Sequence, residues 1–97
     1  MATKRFSPRR IFNKPDTQKA PTNKPIVYKL LNKEGTNIYT GKAKRGRGSE
    51  RLEEHLPDGQ DSIPGATTFQ VKQKPSIVEA EKEEKQIIKR EKPKYNK

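Results

Sequence analysis

The chain has 97 residues, 27% of them hydrophobic and none of them cysteine, and a net charge of +11 from 23 Lys and Arg against 12 Asp and Glu. That length holds one small domain with a thin core, and the composition excludes a disulfide scaffold, a cysteine-bound zinc site and a membrane-spanning helix. An excess of positive charge this large favours a polyanionic partner, nucleic acid foremost, over an anionic membrane surface or an acidic protein.

From Met1 to Lys24, cations such as Lys4, Arg5, Arg9 and Arg10 are opposed by Asp16 alone, and Pro8, Pro15 and Pro21 interrupt the run. This predicts a disordered basic arm over residues 1–24, from which Phe6, Ile11 and Phe12 can dock on a domain. The start lacks the apolar core of a secretory signal and the amphipathic period of a transit peptide, so a cytoplasmic location is expected. A domain over 25–97 follows. Ile26-Val27-Tyr28-Lys29-Leu30-Leu31 and Asn37-Ile38-Tyr39-Thr40 read as strands, and Asn32-Lys33-Glu34-Gly35 as the turn between them. If Asn32 pairs with Gly35, Tyr28 lies opposite Tyr39; a bulge at Gly35 would move that partner by one residue.

Gly41 to Gly48 is a glycine-rich basic loop containing Lys42, Lys44, Arg45 and Arg47, with no acidic residue inside it. Ser49 is placed to cap a short helix through Arg51 and His55 to Leu56, which Pro57-Asp58-Gly59 closes. Thr67 to Val71 reads as a third strand, and Ser76 as the cap of a last helix from Ile77 to about Arg90, ended by Pro93. The expected fold is α+β, a small three-stranded antiparallel sheet flanked by helices in the order β-β-α-β-α.

On the last helix, Ile77, Ala80, Glu84 and Ile87 follow at spacings of three, four and three, which is one helical face, with Ile88 beside it. Glu84 thus interrupts an apolar row. A carboxylate facing a core must be paired, hydrogen-bonded, neutralised or metal-bound, unless it reaches water at the edge of the stripe. Glu79 and Glu83 fall on other faces as solvated charges, and Glu81 can pair with Lys85 at i,i+4.

Taken in order, Ile26-Val27-Tyr28, Tyr39-Thr40-Gly41, Arg51 with His55, Glu84 followed by Ile87-Ile88-Lys89, and Pro93-Lys94-Tyr95-Asn96 resemble the motifs of the GIY-YIG nuclease family. The resemblance spans Ile26 to Asn96. It departs from the family's name at two positions, Ile26 for the first Gly and Thr40 for the middle Ile, neither of which supplies a reacting group.

The resemblance implies a Mg²⁺- or Mn²⁺-dependent endonuclease that hydrolyses DNA. Glu84 would hold the metal and Arg51 would clamp the scissile phosphate. Tyr28 would act as base, with Tyr39 supporting it and His55 accepting the proton, and Asn96 would bond near the phosphate or brace the site. Lys42, Lys44, Arg45 and Arg47 would contact the DNA backbone. Without the resemblance, Arg51 reads as a helix partner for a nearby glutamate, the two tyrosines as packing residues and His55 as a surface residue. The alternative function is a non-catalytic basic module that holds nucleic acid by its phosphates.

Overall fold

The computed structural model describes residues 5–96; residues 1–4 of the expected arm and Lys97 lie outside the described residues. Its elements are β1 (Arg10–Ile11), α1 (Lys14–Thr17), β2 (Ile26–Leu31), β3 (Asn37–Ala43), α2 (Gly48–Glu54), β4 (Thr68–Gln73) and α3 (Ile77–Glu91). The four strands form one antiparallel sheet in the order β1-β4-β2-β3. The fold is α+β as expected, but with four strands and three helices.

The added strand and helix come from the segment expected to be a disordered arm. Asn13 caps α1 by accepting a hydrogen bond from the Asp16 backbone N–H at 2.9 Å. Pro15 sits in the first turn, where its missing N–H would have had no partner in any case, so this proline starts a helix and breaks none. Phe12 packs edge-to-face on Phe69 of β4, and Thr17 and Ala20 are buried beside the core. Ile11, by contrast, is 64% exposed. Upstream, the Ser7 backbone donates to the Val71 carbonyl, and its hydroxyl accepts from the Val71 N–H. Charge and proline content say how costly ordering is; they are blind to the apolar groove that offsets it.

β2 is the central strand and is buried on both faces, which is why its sequence is almost continuously apolar. Tyr28 and Leu30 point to the face covered by α1 and α2, Val27 and Leu31 to the face covered by α3. The hairpin register differs from the expected one. Asn32 donates its backbone N–H to the Thr36 carbonyl, while its side-chain oxygen accepts from the N–H groups of Glu34 and Thr36. Gly35 takes the positive φ of 83° that the turn requires. The turn is therefore one residue longer than Asn32–Gly35. A bulge at Ile38 adds a second residue, so Leu30 pairs with Tyr39 and Tyr28 pairs with Gly41.

A shift of two residues keeps the facing of every side chain, so Tyr28 and Tyr39 still share one face, ring centroids 6.3 Å apart. Gly41 explains itself in this register. The Tyr28 ring lies across it, and a Cβ there would come within 2.5 Å of the phenol.

α2 begins one residue before the expected cap. Arg47 is the N-cap residue, without a side-chain capping bond, and Ser49 lies inside the first turn. α3 matches its expected limits. The Ser76 hydroxyl accepts from the Glu79 N–H, Lys92 turns left-handed at φ 48°, and Pro93 follows. Ala80 and Ile87 are fully buried on the expected face. No described helix is long and apolar enough to cross a membrane.

Candidate functional site

β3 is an edge strand, and that position creates the site. Groups on opposite faces of a sheet meet only around an edge. Here Tyr39 and Ala43 point toward α2, and Lys42 points toward α3. A cleft of about 310 Å³ opens over the edge, lined by Tyr39, Lys42, Lys44 and Arg47 with Arg51 from α2 and Ile77 and Glu84 from α3.

Behind the cleft lies a ring cluster. His55, the C-cap of α2, is completely buried. Its Nδ1 is 2.8 Å from the Asp61 carbonyl, which can only accept, so Nδ1 carries the proton. The bare Nε2 then accepts from the Tyr28 hydroxyl at 2.8 Å. Burial lowers the His55 pKa; the Asp61 carbonyl and charge oppose this, the nearby Arg51 charge adds to it, and the net shift favours the neutral ring. His55 is thus a buried acceptor and not the surface residue that sequence alone suggested.

The two tyrosines are unequal in their exposure to the cleft. Tyr28, the expected base, is fully buried and does not line the cleft. Burial pushes its phenol well above the usual range, the neighbouring Tyr39 and Glu84 add to the rise, and Arg51 opposes it. Tyr39 does line the cleft, and its hydroxyl has no hydrogen-bond partner among the described residues. Burial raises its pKa as well, with the Asp61 charge adding and Arg51 opposing. The ring of Tyr39 lies 4.8 Å from that of His55, centroid to centroid.

Arg51 enters the cleft one helical turn before His55, held by a 2.9 Å ion pair to Glu54. Glu84 also reaches the cleft. Its side chain is 15% exposed, and Oε1 accepts from the Lys42 ammonium at 3.1 Å. Lys42 was expected to have no acidic partner; strand alternation turns it under α3, where Glu81 also lies 3.9 Å away. Glu81 therefore faces Lys42 and forms no ion pair with Lys85 among the described residues. Arg47 likewise has a partner, Glu50. Lys44 and Arg45 are exposed, with no ion pair among the described residues.

Asn96 does not line the cleft. Its side-chain amide accepts from the Thr40 N–H at 2.7 Å and donates to the Thr40 carbonyl at 2.9 Å. Those groups point away from β2, so Asn96 closes the outer edge of β3 as a neighbouring strand would, helped by the Tyr95 N–H on the Ile38 carbonyl. Glu83, expected to be a solvated charge, instead bridges Lys72 of β4 and Lys74 just beyond it at 2.8 and 2.7 Å. The Arg51–Glu54 pair is the helix partnership that the sequence suggested for Arg51, at i,i+3 spacing. Nothing local in the sequence signals the Asp61 carbonyl.

No group of three or more His, Asp or Glu residues able to hold a metal is present among the described residues. At Glu84 one carboxylate oxygen accepts from Lys42, and the other accepts no hydrogen bond from a described residue. No protein-family model matches the chain, and no curated protein matches it either.

Proposed function

We propose that this chain is a metal-dependent endonuclease that hydrolyses DNA phosphodiester bonds, as its resemblance to the GIY-YIG nucleases implies. One observation carries the reading. Three separate elements deliver Tyr39, Arg51 and Glu84 to a single cleft, with a basic loop on its rim. Glu84 would hold Mg²⁺ or Mn²⁺. Such an ion, when bound, supplies positive charge at the phosphoryl oxygens. Arg51, prepositioned by Glu54, offers its planar fork of donors to a non-bridging phosphate oxygen. Tyr39 is the phenol that can meet an attacking water. Tyr28 and His55 hold the polar edge of the ring cluster rigid behind it, and His55 keeps an unprotonated nitrogen there. Lys44 and Arg45 contact phosphates along the strand.

A second reading, nucleic-acid binding without catalysis, draws on the Lys42–Glu84 pair, because a carboxylate already matched by an ammonium needs no metal. Supercoiled plasmid separates the two. Wild-type protein should nick it in Mg²⁺ or Mn²⁺ and not in chelator. Glu84→Gln should lower the rate by about 10²-fold or more while binding DNA normally. Plasmid left intact by wild type in both metals would favour the binding module.

A further inference from the structure

We propose that Lys42 is a built-in counter-ion of Glu84, competing with a divalent metal for the carboxylate and so setting how tightly this site takes one. The inference rests on the reading of Glu84 as metal ligand. Lys42 Nζ lies 3.1 Å from Glu84 Oε1 and 3.9 Å from Glu81 Oε2, on the face of β3 turned toward α3. Glu84 is the more enclosed of the two acids, with 15% of its side chain exposed against 48% for Glu81. The ammonium therefore sits at the sheltered carboxylate and has a second, wetter one within reach. An ammonium at hydrogen-bond distance and a hard divalent cation repel each other across one carboxyl group, so a cation on the free oxygen is held less tightly while Lys42 stays, and use of both oxygens requires Lys42 to withdraw.

Its flexible four-carbon stem permits this, and two destinations are at hand: Glu81, or an anionic phosphate in the cleft that Lys42 itself lines. The second destination links the two ligands. A phosphate that takes up the displaced ammonium raises metal affinity, and by reciprocity the metal raises affinity for the phosphate. Lys44 provides the internal control. It carries the same charge and lines the same cleft but has no ion pair among the described residues.

Calorimetric titration of the full chain with Mn²⁺, without DNA, tests the proposal. Lys42→Met, which keeps the stem and removes the charge, should bind Mn²⁺ about threefold to tenfold more tightly than wild type. Lys42→Gln should shift the same way and serves if Lys42→Met does not fold. Lys42→Arg and Lys44→Met should both stay within about twofold of wild type. Glu84→Gln should abolish the binding heat. Unchanged or weaker binding by Lys42→Met and Lys42→Gln, with Glu84→Gln still inactive toward Mn²⁺, would overturn the role of Lys42 alone. An equal gain in Lys44→Met would also overturn it, by showing that only overall charge matters. Wild-type Mn²⁺ binding by Glu84→Gln would overturn the metal-ligand reading and this inference with it.

Discussion

The Tyr28–His55 hydrogen bond joins two side chains with no exposed surface, so each group depends on the other for its polar partner. Tyr28→Phe keeps the ring that covers Gly41 but leaves His55 Nε2 without a donor. The expected loss is about 1–3 kcal/mol of stability, measured by urea unfolding, and an unchanged midpoint would show that the bond contributes nothing. The imidazole itself has a pH signature. Burial, with Arg51 nearby, holds its pKa below the usual value, so the unfolded chain binds this proton more readily than the folded one. Its contribution is complete above about pH 6.5 and is lost as pH falls through the lower, folded value. Melting temperature should therefore drop on going from about pH 8 to pH 5, and drop less in His55→Gln. Equal pH slopes in both proteins would show that His55 is not responsible.

At the scale of elements, ion pairs fix how α3 lies on the sheet. Lys29 with Glu91, Lys72 and Lys74 with Glu83, and Lys42 with Glu84 tie three strands to one helix. Glu83 is the best placed of these acids. Burial alone would raise its pKa, but hydrogen bonds from Lys72 and Lys74 overcome that and hold it below the ordinary value. Glu83→Gln should destabilise by about 1–2 kcal/mol, whereas Glu79→Gln at an exposed position should stay within about 0.5 kcal/mol. The Glu83 contribution is present above about pH 4.5 and disappears as pH falls through the folded value, a window well below that of His55. Thermal melts of both variants check this; equal effects would mean that the bridge adds nothing beyond a solvated charge.

For the whole molecule, the described residues before β2, 5–25, pack on the sheet and its core. Arg10–Ile11 extends the sheet beyond β4, and Phe12, Thr17 and Ala20 close one side of the core. A small domain has little stability to spare, commonly about 5–15 kcal/mol. Phe12→Ala is expected to cost about 2–4 kcal/mol, and deletion of residues 1–24 should abolish the cooperative thermal transition seen by circular dichroism. A truncated protein that melts like the full chain would show that the core closes without these residues.

Much of this molecule was legible from neighbours in the chain. The β-rich runs around Tyr28 and Tyr39, the Ser76 cap, the stop at Pro93, and the buried face of Ala80 and Ile87 all follow from periodicities and caps that act over a few residues. Glu84 was conspicuous for the same reason, as one carboxylate in an apolar row. The rest was decided by distant pairing. The hairpin register depends on one extra turn residue and one bulge, which turned the facing pair into Tyr28–Gly41 while preserving the shared face. Which tyrosine sees the cleft, which lysine meets Glu84 and which acid bridges Lys72 and Lys74 depend on the order of strands and on β3 lying at an edge. Local sequence sets the period with which side chains alternate. Only the assembled sheet decides what stands on either side of them.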